Sequence, residues 1–244
     1  MSADGARALI VTPTYNEREN LEPFLEGVFR WAPKAHVLVV DDASPDGTGQ
    51  LADRIAARDE RVRVMHRAGK LGLGSAYREA FAAGLRDDRY DSFYEMDADL
   101  SHDPQYLPQF ASALERGADI VIGSRNVPGG GVEGWGLGRH VMSKGGSLYS
   151  RSILGLRVRD LTSGYKAFRR RALTSIDLSS VHSEGYSFQI EMTYRMVRKG
   201  MKVEEVPIVF VDRRLGASKM SRKIFAEAIG VVWRLRLEAM RGTL

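Results

Sequence analysis

Along the first 125 residues, short apolar runs alternate with segments whose apolar residues recur every three or four positions. The short runs are typical of buried strands, and the periodic segments are typical of amphipathic helices. Asn20 is the expected N-cap of the first helix. The predicted strands are residues 8–12, 36–42, 61–66, 92–96 and 118–125, and the predicted helices are residues 20–31, 48–60, 75–85 and 103–117. This alternation predicts βαβ units and a mostly parallel sheet.

The pattern changes after residue 125. The glycine-rich segment 126–138 is predicted to be a mobile loop. The elements predicted beyond it are helices at 139–154 and 186–200, a strand at 201–213 and a basic helix at 221–241. No internal repeat or Pro/Ser-rich linker divides the chain. The prediction is one α/β domain over residues 8–218, after a flexible N-terminus of residues 1–7 and before a basic amphipathic helix within 219–244.

Composition narrows the class of protein. The 244 residues, 43% of them hydrophobic, can form one sizeable core, and the absence of cysteine excludes disulfides and thiolate zinc sites. No apolar run approaches the ~18 residues of a membrane-spanning helix, and the N-terminal run is too short for a signal peptide. A cytoplasmic protein is therefore expected. The net charge of +5 is compatible with nucleic acid, anionic lipid or a phosphorylated substrate.

Polar residues follow the predicted strands, at the end where open α/β sheets bind ligands. After the first strand, Pro13 and Tyr15 could flank a planar base, and Glu17 could accept hydrogen bonds from its edge. After the second strand come Asp41 and Asp42, which could bind ribose hydroxyls or a base edge. Helix capping and turn formation explain these two segments equally well.

The segment after the fourth strand contains Asp97 and Asp99, separated by one residue. In extended backbone their side chains point the same way, which is unfavourable for two carboxylates. A hard divalent cation removes the conflict, because Mg²⁺ or Mn²⁺ binds carboxylate oxygens together with substrate phosphate oxygens. The spacing therefore predicts a metal that bridges a diphosphate, although surface turns often contain the same pattern.

Two other segments are less informative by themselves. Arg213 and Lys219 bracket a Gly-Ala-Ser turn that could close on phosphates or could be a solvated basic loop. The glycine-rich segment 69–77 matches neither dinucleotide-binding nor P-loop spacing. The five histidines lack paired ligand spacing, so zinc is not predicted. His102, beside the acidic motif, is expected to lie at the surface.

Four motifs in order, P-x-Y-N-E, V-V-D-D-x-S-x-D-G-T, M-D-A-D-L-S-H-x-P and R-x-x-G-x-S-K, together resemble one family. Over about residues 7–222 the chain is similar to the dolichol- or polyprenol-phosphate mannose synthases, which are inverting family 2 glycosyltransferases with the GT-A fold. Residues 160–170 and 184–192 are similar to the mannose synthase branch in particular. The resemblance implies a Rossmann-like, mostly parallel sheet flanked by helices in one catalytic domain.

The resemblance also implies a role for each matching residue. The implied donor-binding residues, for GDP-mannose, are Pro13, Tyr15, Glu17, Val40, Asp42, Asp97, Ala98, Asp99, Arg125, Arg213 and Lys219. The implied ligands of Mg²⁺ or Mn²⁺ are Asp97, Asp99 and Ser101, the last at a position where some members have glutamine. The implied acceptor-phosphate residues are Arg125, Arg139 and Ser143. Asp97, Asp99 and Arg125 are the candidate catalytic residues.

The implied reaction transfers mannose from GDP-mannose to a polyprenyl monophosphate with inversion. The implied partners are the donor, the lipid acceptor, an anionic membrane surface on its cytoplasmic face and an integral membrane protein, but no nucleic acid. Many such synthases carry membrane-spanning helices after the catalytic domain; here the basic C-terminal helix is expected to attach peripherally or to pack on the protein or a partner. The alternative is a sibling transferase that uses UDP-glucose or another sugar nucleotide. A nucleotidyltransferase would need a glycine-rich basic loop after the first strand, where this chain has 12–20, TPTYNEREN.

Overall fold

The computed structural model describes residues 4–134, 136–211 and 222–244, apart from the side chains at 137, 139–141 and 222–228. The strands are β1 (Ala8–Thr14), β2 (His36–Asp41), β3 (Val62–His66), β4 (Ser92–Glu95), β5 (Ile120–Ser124), β6 (Gly131–Glu133), β7 (Lys166–Arg169), β8 (Val203–Pro207) and β9 (Val209–Val211). The α-helices are α1 (Arg18–Trp31), α2 (Thr48–Ala56), α3 (Leu73–Gly84), α4 (Leu107–Glu115), α5 (Leu137–Leu154), α6 (Arg170–Thr174), α7 (Gly185–Arg198) and α8 (Arg222–Arg241). Short 3₁₀ turns cover Pro104–Tyr106 and Leu178–Ser180.

Seven strands form one sheet in the order β3-β2-β1-β4-β7-β5-β8. Only β7 is antiparallel to its neighbours, and it lies between β4 and β5. The prediction of a mostly parallel sheet with alternating helices is therefore confirmed. The strand order runs outward from β1 in both directions, so a topological switch point lies between β1 and β4. A crevice for ligands is expected at the carboxyl ends of these two strands.

The core fills both faces of this sheet. Leu9, Val11 and Phe93 belong to an apolar cluster on one face, and Ile10 and Tyr94 belong to a cluster on the other. Successive strand residues point to opposite faces, and both faces are covered, so residues 8–11 of β1 read as a continuous apolar run. Since full burial of one such side chain contributes about 1.5–3 kcal/mol, these clusters provide the main stabilisation of the fold.

Helix α3 packs against β1 and β4 at a glycine. A Cβ on Gly84 would lie 2.6 Å from Leu9 Cδ2 and 2.8 Å from Phe93 Cε1. Contacts this short are not tolerated in a close-packed core. Glycine is therefore required there for α3 to approach the sheet.

Several predicted elements differ from the structure. The expected N-cap is wrong: α1 begins at Arg18 with Glu17 as its N-cap, and Asn20 lies inside the helix, where its Nδ2 donates to Glu17 Oε2 at 2.8 Å. The predicted strand 201–213 is two strands, β8 and β9, and the segment predicted as a mobile loop contains β6, which pairs with β9. Strand β7 was not predicted.

The predicted domain limits lie near residue 7 and at residue 218. Within the predicted flexible N-terminus, Lys34 N donates to Asp4 O at 2.8 Å and Arg7 Nη2 donates to Asp91 Oδ1 at 2.8 Å. The predicted limit at 218 lies outside the described residues. In the part of the chain that is described, no helix is both long enough and apolar enough to cross a bilayer.

Candidate active site

The sheet register brings the predicted site segments together. Pro13 is paired with Val40 and Thr14 with Asp41, so the segments after β1 and β2 leave the sheet side by side. On the other side of β1, Met96 N donates to Val11 O at 3.2 Å, which places the start of the acidic motif beside the end of β1. The predicted donor and metal residues of these three segments therefore share one edge of the sheet, at the switch point.

The segment after β1 presents partly exposed side chains to this edge. Pro13, Tyr15 and Glu17 are all partly exposed, and Lys70 Nζ lies 4.1 Å from the centre of the Tyr15 ring. This cation over the aromatic face adds a positive charge beside the predicted base site. Val40, by contrast, has a fully buried side chain in the apolar core, so only its backbone is placed to contact a ligand.

The two acids after β2 have different surroundings. Asp41 accepts hydrogen bonds from Thr14 Oγ1 at 3.2 Å and from Ser44 Oγ at 2.6 Å, which is turn chemistry. Asp42 Oδ1 accepts from Arg67 Nη1 at 2.6 Å. The Arg67 side chain is only 2% exposed. Of the two acids, Asp42 is thus the one held in place by a buried cation. Sequence analysis did not single out that cation, Arg67.

The acidic motif after β4 forms a tight loop. Asp97 and Asp99 are partly exposed, and Ala98 between them is buried. Ser101 donates to Asp99 Oδ1 from its backbone nitrogen at 3.1 Å and from its hydroxyl at 2.6 Å. Leu100 takes a positive φ of 64° to close this loop. Because its hydroxyl donates to Asp99, Ser101 orients that carboxylate, and this contact gives it a role besides the predicted metal ligation.

His102 is buried beneath the motif, so the expected surface position is wrong. Its ring is 3% exposed, and its Nδ1 accepts a hydrogen bond from Asp97 N at 3.0 Å. It stacks on Tyr165, with ring centroids 5.0 Å apart, and meets Phe210 edge-on at 5.9 Å. A nitrogen that accepts must lack a proton, so the neutral ring carries its hydrogen on Nε2. The histidine fixes the backbone from which the Asp97 side chain projects.

We expect His102→Ala to lower turnover by about tenfold or more, because residues that orient metal ligands have effects of this size. His102→Asn should lose less, since its Oδ1 can replace Nδ1 as the acceptor. Initial rates over a range of Mn²⁺ concentrations, with melting temperatures for both variants, would measure this. Equal rates for the two variants, or no loss in His102→Ala, would contradict the role of the Asp97 hydrogen bond.

Arg125 follows β5 at the same edge of the sheet. Its Nε and Nη2 each donate to the Asp160 carboxylate at 2.7 Å, and Nη2 donates to Thr162 Oγ1 at 3.0 Å. The side chains of Arg125 and Asp160 are 7% and 0% exposed. Burial alone would lower the pKa of Arg125, but the adjacent carboxylate raises it. Burial would raise the pKa of Asp160, and the guanidinium lowers it instead. Arg125 is therefore a fixed, charged group, and sequence analysis missed its partner.

Two of the predicted acceptor-phosphate residues belong to helix α5. Arg139 and Ser143 are four residues apart in α5, so they share one face of that helix. Ser143 is partly exposed, whereas the side chain of Arg139 is not described. Arg213 and Lys219 lie outside the described residues. Their roles stay predictions.

The acidic motif fits a metal that is held jointly with a substrate. Within the described ranges, no group of three or more His, Cys, Asp or Glu side chains could hold a metal ion. Asp97 and Asp99 supply two hard carboxylates, and a Mg²⁺-type ion characteristically takes its other ligands from phosphates and water. The residues present thus fit an ion bound together with a diphosphate.

Comparison with known proteins places this geometry in a family. The model for glycosyl transferase family 2 matches residues 9–176, which include both strand-end segments and the acidic motif. The chain belongs to glycosyl transferase family 2. The predicted resemblance is thereby confirmed, and this glycosyltransferase carries its candidate metal ligands within the matched region.

Two relatives match this glycosyltransferase over almost its whole length. It is 51% identical to the polyprenol monophosphomannose synthase of Mycolicibacterium smegmatis, over 98% of this chain and 91% of the relative. It is 52% identical to the undecaprenyl-phosphate mannosyltransferase of Micrococcus luteus, over 96% of this chain and 95% of the relative.

Solved structures confirm the fold. Glucosyl-3-phosphoglycerate synthase from Mycobacterium tuberculosis, in a complex with Mn²⁺, UDP-glucose and phosphoglyceric acid, superposes with a TM-score of 0.67. The identity is 21%, over 95% of this chain and 80% of that one. The same protein with phosphoglyceric acid alone also gives a TM-score of 0.67, at 20% identity. The predicted GT-A architecture is therefore confirmed.

Proposed function

We propose that this glycosyltransferase transfers mannose from GDP-mannose to the phosphate of a polyprenyl monophosphate, with inversion, releasing GDP. The observation that carries the proposal is the identity above 50%, over at least 96% of the chain, to two relatives named for polyprenyl-phosphate mannose synthesis. The donor nucleotide and the stereochemistry rest on the motif resemblance and on the arrangement of the strand ends.

The proposed nucleophile is an oxygen of the acceptor phosphate. A phosphate monoester has its second pKa near ~6, so it is largely a dianion at neutral pH and needs no general base. The requirement is to position this dianion next to an anionic donor. Acidic and basic groups at one edge of the sheet would meet that requirement, since Asp97 and Asp99 follow β4 and Arg125 follows β5, with β7 between the two strands.

Each charged group then has a separate part in the reaction. Asp97 and Asp99 would hold the divalent ion, which, when bound, neutralises charge on the leaving diphosphate. Arg125, held rigidly by Asp160, would direct its positive charge at the reacting phosphates. Arg139 and Ser143 of α5 would bind the acceptor phosphate with it. Arg213 and Lys219 would contact the donor diphosphate. Attack opposite the leaving group converts an α-linked donor into a β-linked product.

The guanosine part of the donor would lie at the ends of β1 and β2. Pro13 and Tyr15 offer the walls of a planar site, and Glu17 offers an acceptor for the donor edge of guanine. Asp42, oriented by Arg67, offers a carboxylate to the ribose. A uracil base is smaller, so competition between nucleotides tests this part of the proposal directly.

Transfer of radiolabelled mannose from GDP-mannose to a polyprenyl phosphate in detergent tests the function. We expect labelled lipid that requires Mg²⁺ or Mn²⁺, and stronger inhibition by GDP than by UDP. Inhibition by UDP instead, with transfer from UDP-glucose, would favour the sibling transferase. Tight GDP-mannose binding without product would point to another acceptor or to a required membrane protein.

A lipid acceptor also requires contact with a bilayer, and α8 offers an apolar surface for it. Val232 and Leu235 of this helix are buried in the core. A second set of apolar side chains is exposed instead, at spacings of four and three residues that define one helix face. This apolar stripe consists of Ile229, Trp233, Leu237 and Met240.

We propose that the apolar stripe lies on an anionic membrane surface at its cytoplasmic face. Trp233 is 51% exposed and Met240 is 72% exposed, and tryptophan favours the boundary between water and lipid. Arg236 and Arg241 on the same helix add positive charge for anionic headgroups. An integral membrane protein is the other partner that could cover this stripe.

Replacing Trp233, Leu237 and Met240 together by serine should reduce binding to anionic vesicles by about tenfold or more, given the ~25 cal/mol per Å² of apolar burial that is lost. Vesicle flotation measures this, with Trp31→Ser as the matched control, since Trp31 is an exposed tryptophan on α1. Transfer in detergent should be unchanged. Undiminished flotation of the triple variant would remove the stripe from membrane attachment.

A further inference from the structure

A charged pair lies beneath the two candidate metal ligands, in an otherwise apolar face of the sheet. Glu95 ends β4 and Lys166 begins β7, and the antiparallel register sets them directly opposite each other. Both residues are fully buried. Their neighbours two positions away on the same face, Phe93 and Phe168, belong to the apolar cluster. Opposed residues project from the same face, so both charged side chains enter the core side by side and interact electrostatically.

Lys166 connects this pair to a helix. Its Nζ donates to Gln189 O at 2.8 Å and to Thr193 Oγ1 at 2.9 Å, and both acceptors belong to α7. Burial raises the pKa of Glu95 and lowers that of Lys166, while the opposite charge of each partner counteracts the shift. The ammonium group therefore holds β7 to α7 and compensates the carboxylate that lies two residues before Asp97.

Several buried polar atoms around the pair make no hydrogen bond of normal geometry in the described part of the chain. They are both carboxylate oxygens of Glu95, the side-chain amide of Gln189 and the hydroxyl of Tyr77. The Tyr77 hydroxyl interacts electrostatically with Asp97 and Asp99, which places this group of polar atoms next to the acidic motif. Buried polar groups without well-formed hydrogen bonds are rare in native proteins and call for an explanation.

We propose that Lys166 is a positioning residue of the metal site. It ties β7 to α7, and β7 in turn pairs with the end of β4, so that Asp97 and Asp99 are set to bind a divalent ion with the donor diphosphate. This inference rests on the proposed function, because it requires that ion. Glu95 itself points into the core from the strand end, and its charge would repel the two aspartates if no cation lay beside it.

The support for the motif comes from both sides of the sheet edge. His102 holds the backbone of Asp97 from one side. On the other side, β7 pairs with the strand that precedes Asp97 and is tied to α7 by Lys166. Residues that orient metal ligands in this indirect way commonly change metal affinity 10–100-fold when they are replaced. A pair that served folding alone would affect stability and leave metal affinity unchanged.

The test measures Mn²⁺ binding to the full chain in the presence of GDP, from the EPR signal of free Mn²⁺, against Mn²⁺ and GDP without protein. The variants are Lys166→Met and the double variant Glu95→Gln/Lys166→Met. Lys202→Met is the matched control at an exposed lysine. We expect Lys166→Met to weaken Mn²⁺ binding about tenfold and to lower the melting temperature, because Glu95 is left uncompensated.

The double variant separates positioning from folding. Without a buried charge it should regain most of the melting temperature, yet keep the roughly tenfold loss in Mn²⁺ affinity, since methionine cannot donate to α7. Wild-type Mn²⁺ affinity in the double variant overturns the role of Lys166. If the wild-type protein binds no Mn²⁺ with GDP, the proposed function fails first, and this inference fails with it.

Discussion

Asp99→Asn should lower mannosyl transfer by about 100-fold or more and leave the melting temperature unchanged. The substitution removes one of two anionic ligands of the proposed ion. A bound ion contributes several kcal/mol of transition-state stabilisation, and each ~1.4 kcal/mol that is lost lowers the rate tenfold. Initial rates at saturating donor and acceptor, over a range of Mn²⁺ and Mg²⁺ concentrations, measure the effect.

The fold should tolerate this change because asparagine keeps the local hydrogen bonds. Ser101 donates to Asp99 Oδ1 through its backbone nitrogen and its hydroxyl, and an amide oxygen accepts both. Asp103→Asn is the matched control, since Asp103 is an acid of the same motif that caps the following turn by accepting from Gln105 N. A near-normal rate in Asp99→Asn would exclude Asp99 from the reaction. An equal loss in Asp103→Asn would show that the loss of rate is not specific to Asp99.

The sheet was predictable where strands are long and buried on both faces. The apolar runs of β1, β2 and β5 stand out because both of their faces lie in the core. Strand β7 has only four residues and begins with a lysine, so nothing in its local pattern distinguishes it. The split between β8 and β9 coincides with Pro207, whose missing N–H interrupts a ladder.

The candidate site was predictable as a set of strand ends, and not as a network. The positions of Asp42, Asp97 and Arg125 follow from the rule that ligands bind at carboxyl ends of parallel strands. Their partners do not follow, because Arg67 and Asp160 lie 25 and 35 residues away and meet them only in the folded chain. The expected surface position of His102 was wrong because the rings of Tyr165 and Phe210 cover it. Both rings come from distant parts of the chain, so the local sequence gives no sign of this burial.

The largest effect on stability is expected from Asp160→Asn. The substitution removes the charge opposite Arg125, whose side chain is 7% exposed, and a buried charge left without its partner costs about 3–5 kcal/mol. For a domain of this size each kcal/mol corresponds to roughly 2–4 °C, so the melting temperature should fall by about 10 °C. Asp91→Asn is the matched control: Asp91 also pairs with an arginine, but its side chain is 45% exposed, and such pairs contribute at most about 1 kcal/mol.

The pH dependence of this loss has a defined sign. The pKa of Asp160 is lowered in the folded protein, so its contribution is present above the unfolded value near ~3.9 and is lost as the pH falls through the folded value. The difference in melting temperature between the wild type and Asp160→Asn should therefore stay constant from about pH 8 to 5 and narrow only in stronger acid. If this difference in melting temperature shrinks between pH 8 and 5, a titratable group other than Asp160 is responsible for it.

A double variant separates the structural role of this pair from its role in the reaction. Arg125→Met together with Asp160→Asn removes both charges, so most of the lost stability should return. Transfer should stay at least about 100-fold below the wild type, because the positive charge that we propose for binding the reacting phosphates is gone. Recovery of activity together with stability would mean that the ion pair only maintains the segment between β5 and β7, and that the acceptor phosphate is bound by other groups.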